Sequence, residues 1–190
     1  VIKPYWDIAR IKPCQIPLEE AVVRTKELLE KSVQSQLTAD VPLGIFLSGG
    51  IDSSLIAAMA QRTSCWPLKT FSIGFEDKQF DESRYAKQVS TYLHTQHYHQ
   101  VFTARDLLRT LPKVVEKLDE PLADASILPT YLLAEFARKE VTVALSGVGG
   151  DELFAGYPTY LAHQMATYFN RLPEPILGLS KNLLINLHKL

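Results

Sequence analysis

The chain has 190 residues, a formal net charge of −1 at pH 7 and 46% hydrophobic residues, which is typical of one globular domain with a sizeable core. This balanced charge does not favour nucleic acid or an acidic membrane surface as a partner, and no apolar run approaches the roughly 20 residues that span a bilayer. Cys14 and Cys65 lie far apart and outside any C-x-x-C pair, so we predict a reducing, cytoplasmic location. The first residue, Val1, suggests a piece of a longer chain.

Residues 1–17 are punctuated by Pro4, Pro13 and Pro17 and lack a helical period, which predicts a connector. Pro17 suits the first turn of a helix that we place over residues 18–37. This helix is expected to pack rather than to take part in chemistry. Its predicted apolar stripe consists of Leu18, Val22, Leu29, Val33 and Leu37.

Residues 43–59 indicate a buried strand, a Ser48-Gly49-Gly50 turn and a helix that opens on Asp52. Paired glycines let backbone N–H groups approach a bound group, and the helix start behind them carries unpaired donors and a partial positive charge. Together these features predict an anion pocket. The alternative is that the glycines only make a tight turn and that Asp52 is only a helix cap.

The following residues alternate between strands and helices, which predicts an α/β fold with a doubly wound parallel sheet and flanking helices. The helix over 103–118 is amphipathic, and Pro112 is expected to kink it. The other predicted elements are a strand over 68–75, helices over 81–93 and 127–138, and a strand over 141–145. The inward residues of the 103–118 helix are predicted to be Leu107, Leu108, Leu111, Val114, Val115 and Leu118.

Three histidines, His94, His97 and His99, suggest a metal site at first sight. His97 and His99 would share one face of a strand, but neither a cysteine nor a carboxylate stands at ligand spacing nearby, and zinc sites use three or four convergent ligands. We therefore favour a structural role for these histidines.

The strand–loop–helix arrangement of the first anion pocket occurs a second time. The strand over 141–145 is followed by the loop 146–150 and by Asp151, which starts another helix. In an open parallel sheet, two such loops face each other across one crevice where their strands become neighbours. Asp52 and Asp151 would then lie on opposite sides of one anion, where a divalent cation can bridge carboxylate and phosphate oxygens.

Two common phosphate motifs are excluded. The sequence has no G-x-x-x-x-G-K-[ST] run, so it is not a P-loop NTPase. A dinucleotide fingerprint that starts at Gly147 would need glycine at position 152, which is Glu152. What remains is the S-G-G-x-D-S pattern of residues 48–53.

On this pattern the chain resembles the C-terminal synthetase domain of the glutamine-dependent asparagine synthetase family, a PP-loop ATP pyrophosphatase domain. The same order of motifs includes a lead-in at residues 5–7, the second strand at 70–75, residues 119–126 and the second loop with its helix at 145–157. The resemblance covers most of the chain up to about residue 160. It implies an adenine nucleotide alpha hydrolase-like fold of the PP-loop type.

The resemblance also implies a domain organisation. Residues 1–17 would connect to an upstream glutaminase domain, 18–160 would form the PP-loop synthetase domain, and 161–190 would begin a truncated helical subdomain, seen here as a helical C-terminal tail. Ammonia would come from that glutaminase domain, which lies outside this chain. Neither nucleic acid nor a membrane is expected as a partner, and the resemblance leaves room for a homodimer.

The reaction that the resemblance implies is ATP-dependent amide formation with Mg²⁺. A small-molecule carboxylate, aspartate in the family, would attack the α-phosphate of ATP to give an acyl-adenylate and pyrophosphate, and ammonia would then displace AMP. Asp52, Asp151 and Ser48 are the predicted catalytic residues, and Asp52 and Asp151 the predicted magnesium ligands. The predicted ATP-binding residues are Leu47, Ser48, Gly49, Gly50, Asp52, Ser53, Ile73, Ser146 and Gly147.

One residue departs from the family pattern in a way that affects the substrate. Val148 stands where asparagine synthetases carry a glutamate tied to aspartyl-adenylate formation, and valine can neither accept a proton nor hold a cation. The later family motifs and their lysines are also absent. The alternatives are therefore a related amidotransferase or β-lactam synthetase-like enzyme on another carboxylate, an ATP-sensing module without turnover, or a purely structural domain.

Overall fold

The computed structural model describes residues 2–79 and 81–169, and these residues divide after Ser146 into two compact units. The first unit contains a 3₁₀ helix (Ile8–Arg10), α1 (Leu18–Gln36), β1 (Leu43–Phe46), α2 (Ile51–Thr63), β2 (Lys69–Phe75), α3 (Ser83–Leu93), β3 (Gln96–Phe102), α4 (Ala104–Lys117), α5 (Ile127–Ala137) and β4 (Val143–Leu145). The second contains α6 (Gly150–Phe154) and α7 (Pro158–Phe169). Most predicted elements begin and end within two residues of these bounds.

The four strands of the first unit form one parallel sheet in the order β3-β2-β1-β4. After β1 the chain moves outward in one direction to β2 and β3 and then returns to place β4 on the other side of β1. The direction of strand order therefore reverses between β1 and β4. This topology confirms the predicted doubly wound sheet.

Successive side chains of β1 point to opposite faces of the sheet, and each face packs against its own hydrophobic core. Ile45 and Leu47 are completely buried on one face, where they form a core with residues of α1, α2 and α3. Phe46 lies on the other face, against the buried ring of Phe71 and the α5 residue Ala137. Full burial of a side chain such as Ile45 or Phe71 stabilises the fold by about 1.5–3 kcal/mol.

Gly44 makes room for the Phe71 ring in the second core. A Cβ at position 44 would lie 2.6 Å from Cε2 of Phe71, closer than packed carbon atoms approach. The ring stacks on Tyr98 at 5.2 Å between centroids and meets Phe136 edge-on at 6.0 Å. These aromatic contacts join β2, β3 and α5, and Gly44 of β1 leaves the space that the Phe71 ring fills.

Two of the predicted apolar stripes differ from the structure. In α1, Val33 is buried and Leu29 and Leu37 pack beside it, but Leu18 and Val22 are exposed. In α4 the predicted inward residue Val114 is buried together with Thr110, which was not predicted, whereas the predicted inward residues Leu108, Leu111 and Val115 are exposed. The inward side of α4 is thus rotated relative to the prediction, and the helix continues through Pro112.

The predicted helical tail is described only in its first part. α7 covers Pro158–Phe169, and the remainder of the 161–190 segment lies outside the described residues. The domain limits at residues 17 and 160 stay predictions. No helix in the described ranges is both long enough and apolar enough to cross a membrane.

Candidate anion-binding loop

The loop after β1 places a helix start directly behind two glycines, as the sequence predicts. Gly50 is the N-cap of α2 and no side chain caps this end, so the first N–H groups of a 13-residue helix stay available to a ligand. The helix begins at Ile51, one residue earlier than predicted, and Asp52 lies in its first turn. The alternative that Asp52 is only the helix cap is therefore wrong.

The hydroxyl groups of Ser48 and Ser53 hold the loop in shape. The two Oγ atoms are 2.9 Å apart, and Ser48 Oγ accepts a hydrogen bond from the backbone N–H of Gly50 at 3.2 Å. Ser53 Oγ also accepts from the Ser48 N–H at 3.3 Å and lies 3.3 Å from the Gly50 carbonyl oxygen. Both hydroxyls and the helix N–H groups thus converge on one small turn, which presents several donors to an anion.

Gly49 cannot be replaced by another residue without a change in the conformation of this turn. Its φ is +89°, a left-handed conformation that side chains rarely adopt. A Cβ at this position would lie 2.4 Å from the backbone N of Ala86 and 2.6 Å from Cβ of Tyr85. The start of α3 therefore presses directly on the loop, and the fully buried Ala86 is the position at which it does so.

Asp52 supplies the negative charge of the loop. Its side chain is partly buried and accepts no hydrogen bond and forms no ion pair with any residue that the structure describes. A carboxylate oxygen without protein partners suits a hard divalent cation such as Mg²⁺, which takes one or two carboxylates together with phosphate oxygens. Among residues 2–79 and 81–169, no group of three or more histidine, cysteine, aspartate or glutamate side chains could hold a metal by itself.

The other predicted binding residues of the first unit lie around the same edge of the sheet. Leu47 continues β1 and donates from its N–H to the Phe71 carbonyl at 2.8 Å. Phe46 of β1 pairs with Phe71 of β2. Ile73 lies two residues further along β2 and is therefore level with Ser48 of the loop. Ser146 follows β4, and Ile45 of β1 pairs with Leu145. Leu47 and Ser146 therefore directly follow β1 and β4, and Ile73 lies two residues before the end of the adjacent strand β2.

The second Ser-Gly-rich loop belongs, apart from Ser146, to the second unit. Gly149 is the N-cap of α6 with φ +98°, and the Gly150 N–H donates to the Gly147 carbonyl at 3.1 Å. Asp151 lies in the first turn of α6, and its Oδ1 lies against Gly156, where a Cβ would be only 2.0 Å away. Val148 is 90% exposed at the tip of the loop. The joint role of Asp52 and Asp151 stays a prediction.

The histidines of β3 form a hydrogen-bonded row with β2. The two ring nitrogens of His97 lie 2.9 Å from Thr70 Oγ1 and 3.1 Å from Ser72 Oγ, and His99 Nδ1 lies 3.0 Å from the same Ser72 hydroxyl. Both nitrogens of His97 are therefore occupied by hydroxyl groups. His94 ends α3 in a left-handed conformation with φ 55°. The structural role predicted for the three histidines is thus supported by the hydrogen bonds of His97 and His99 and by the position of His94 at the end of α3.

His97 makes stability depend on pH. Burial lowers the pKa of His97, and the nearby His99 and Lys87 lower it further. The unfolded chain then binds more protons below the ordinary histidine pKa of about 6.5, so stability is complete above that pH and is lost as pH falls through the lowered pKa. We expect His97→Gln to flatten the pH dependence of the unfolding free energy as the pH falls below about 6.5, measured by urea titration. His163→Gln changes an exposed histidine and is the control, which should leave the pH dependence of the unfolding free energy unchanged. The same pH dependence in His97→Gln and His163→Gln would contradict the role assigned to His97.

Sequence reasoning missed two features of this region. Ala86 was not recognised as a loop contact, because the contact joins positions 37 residues apart and depends on how α3 packs. The Thr70–His97–Ser72–His99 row was also missed. Its signal was present, since polar residues two apart in neighbouring strands point to the same face.

A doubly wound parallel sheet with a Ser-Gly-Gly loop and a helix start at its switch point defines an α/β protein with a candidate anion-binding loop. The asparagine synthase family model matches residues 24–189, so the chain belongs to the asparagine synthase family. This confirms the family predicted from the motifs.

Curated relatives agree with this assignment. The chain is 43% identical over 171 residues to the putative asparagine synthetase [glutamine-hydrolyzing] 2 of Methanocaldococcus jannaschii, covering 90% of this chain and 33% of the relative. It is 42% identical over 190 residues to asparagine synthetase [glutamine-hydrolyzing] 1 of Bacillus subtilis, covering 96% of this chain and 29% of the relative. The chain thus spans about a third of the length of these relatives.

Similar solved structures include an NH₃-dependent NAD synthetase from Campylobacter jejuni in complex with a nitrate ion, with 14% identity and a TM-score of 0.46 over 75% of this chain and 61% of that chain. An NMN synthetase from Francisella tularensis has 18% identity and a TM-score of 0.43 over 68% of this chain and 54% of that chain.

Proposed function

We propose that this chain is the ATP-binding part of an ATP-dependent amide-forming ligase that activates a carboxylate as an acyl-adenylate. The observation that carries the proposal is the loop of residues 48–53, in which two hydroxyl groups, a left-handed glycine and an uncapped helix start converge in a member of the asparagine synthase family. Such a loop is suited to hold the pyrophosphate that leaves when the α-phosphate of ATP is attacked.

Each residue of the loop has a role in this reaction. Ser48, Ser53 and the backbone N–H groups behind Gly50 donate to the pyrophosphate oxygens as negative charge accumulates on them. Gly49 keeps the backbone close enough to make those contacts. Leu47, Ile73, Ser146 and Gly147 contact the adenosine. Asp52 holds Mg²⁺, which when bound neutralises part of the polyphosphate charge, and Asp151 is kept as its second predicted ligand.

The amide nitrogen and the location of the protein also belong to the proposal. The curated relatives are named as glutamine-hydrolysing enzymes and are about three times the length of this chain. We propose that a glutaminase domain of the full-length protein supplies ammonia to displace AMP from the acyl-adenylate, and that the protein is cytoplasmic.

ATP–pyrophosphate exchange by the full-length protein tests this function. The enzyme is incubated with ATP, Mg²⁺ and labelled pyrophosphate while a panel of carboxylic acids, including aspartate, is screened. Exchange that depends on one acid is expected. ATP binding without AMP formation or exchange with any acid would instead favour an ATP-sensing module, and no ATP-dependent rise in melting temperature would indicate a structural domain.

Val148 gives the proposal a test of substrate choice. If a glutamate at this position assists attack by aspartate, Val148→Glu should raise aspartate-dependent exchange by about tenfold or more, because a positioned acid–base group contributes at least that much. The 90% exposure of Val148 means that the substitution should not disturb the fold. Val148→Gln, which has the size but not the charge, is the matched control. Equal aspartate-dependent exchange in the two variants would remove Val148 as the determinant.

A further inference from the structure

A groove of about 690 Å³ lies between α3 and the edge strand β3 of the first unit. α3 also contacts the anion-binding loop through Tyr85 and Ala86, but none of the residues proposed to contact ATP line the groove. Its walls carry Arg84, Lys87 and three histidines together with several hydroxyl groups. This volume is in the range of sites that hold small molecules.

The charged side chains that line the groove are all positive. Arg84 and Lys87 lie one helical turn apart on α3, both are exposed, and neither pairs with a carboxylate in the described part of the chain. No aspartate or glutamate lines the groove. Asp81 lies near its end, but both oxygens of Asp81 accept hydrogen bonds from Ser83, through its N–H at 3.1 Å and its Oγ at 3.0 Å. Asp81 keeps its negative charge, but it forms no ion pair with Arg84 or Lys87, so both cations stay open to an anion.

The opposite wall is ordered before any ligand arrives. His97 and His99 stack with an angle of 11° between their rings and 6.4 Å between centroids, and both rings are hydrogen-bonded to Ser72. Since both nitrogens of His97 already have partners, its ring serves as a wall and not as a ligand. His99 is exposed and uses only Nδ1 in this row, and His94 lines the other end of the groove.

From these observations we propose that the groove binds a small multivalent oxyanion, a phosphate- or carboxylate-bearing molecule, with Arg84 and Lys87 as its charged anchors. The guanidinium group provides paired donors that match either kind of oxyanion, and the lysine adds a second charge one turn further along α3. Ser83 and His94 lie eleven residues apart, so the groove follows α3 for roughly 16 Å. A single small ion would leave most of that length unfilled. The inference does not depend on the proposed ligase function.

Isothermal titration calorimetry of the full-length protein tests this site, with tripolyphosphate and citrate as the two probes. The titrations are run without divalent cations and at low ionic strength, because salt screens exposed charges. They are repeated with a non-hydrolysable ATP analogue already bound at the loop of residues 48–53. Probe binding that persists under this condition belongs to the groove and not to the loop. Binding of tripolyphosphate alone assigns a phosphate-bearing ligand, binding of citrate alone a polycarboxylate, and binding of both supports the oxyanion class as a whole.

Substitutions decide where the probe binds. The double variant Arg84→Gln/Lys87→Gln should raise the dissociation constant by about tenfold or more, because both anchoring charges are lost. The matched control Arg105→Gln/Lys117→Gln removes the same charge from exposed positions of α4 and should change it less than about twofold. Lys87→Gln alone should give an intermediate value. No binding heat with either probe, or equal weakening in the two double variants, would overturn the proposal.

Discussion

Asp52→Asn is expected to lower ATP–pyrophosphate exchange by about 10²–10³-fold while the protein stays folded, since one preorganised electrostatic contact to a developing charge is worth about that factor. The substitution keeps the shape of the side chain but removes the negative charge that would hold Mg²⁺. The fold should tolerate it, because no described residue forms a hydrogen bond or ion pair with the Asp52 carboxylate. Exchange rates and melting temperatures of the full-length variant and wild type provide the measurement.

The control for this variant is Asp40→Asn. Asp40 is exposed and undergoes the same chemical change, so exchange should stay within about twofold of the wild type. If Asp52→Asn kept wild-type exchange at saturating Mg²⁺, the proposed metal ligand would be wrong. If it lost exchange together with its melting transition, the Asp52 side chain would instead be needed for folding.

Gly49→Ala is expected to destabilise the protein by about 3 kcal/mol and to abolish exchange. A left-handed φ costs an L side chain about 1–2 kcal/mol, and overpacking costs a further 1–3 kcal/mol. The overpacking arises because the new methyl group would lie 2.4 Å from the Ala86 backbone N. Either α3 or the loop must therefore move. The measurement is the free energy of unfolding from urea titration, together with the exchange rate.

Gly149→Ala separates the cost of the left-handed φ from the cost of overpacking. Gly149 has a similar φ of +98°, but a Cβ there would have no atom within 4 Å. Gly149→Ala should therefore lower the free energy of unfolding only by the cost of the left-handed φ, about 1–2 kcal/mol. Equal losses of stability in the two variants would show that the contact between Gly49 and α3 contributes nothing.

The first loop could be predicted because its signals are local. A buried strand, a Ser-Gly-Gly turn and an apolar helix follow one another within residues 43–59, and each is recognised without knowledge of distant residues. The parallel sheet follows from the alternation of strands and helices. The repetition of the pattern after residue 141 also indicated which strands meet, and β4 does pair with β1.

The orientation of α4 could not be predicted in the same way. Leu108, Leu111 and Val115 form a strong apolar pattern, yet the helix exposes them and buries the polar Thr110 beside the predicted Val114. Thr110 loses little by burial because its hydroxyl donates to the Asp106 carbonyl at 2.8 Å. The apolar pattern shows that a helix has a preferred side, but packing against the neighbouring helix decides which side that is.

The groove between α3 and β3 was also beyond sequence reasoning. Arg84 and Lys87 look like ordinary residues of an exposed helix face, and only the structure places them opposite His97 and His99. The three histidines were visible, but their spacing suggested only a choice between a metal site and a structural role. What they face depends on the crossover that lays α3 beside β3.

The pairing of β1 with β4 joins Leu43 to Val143, across a hundred positions of the chain, whereas the β1–β2 and β2–β3 pairings each close a much shorter segment. Contacts distant in sequence form late, because the intervening chain must first give up its freedom. We therefore expect the three strands β1–β3 to assemble while the ribosome is still adding α5. The nucleotide site that we propose would then be completed only when β4 emerges and docks against β1.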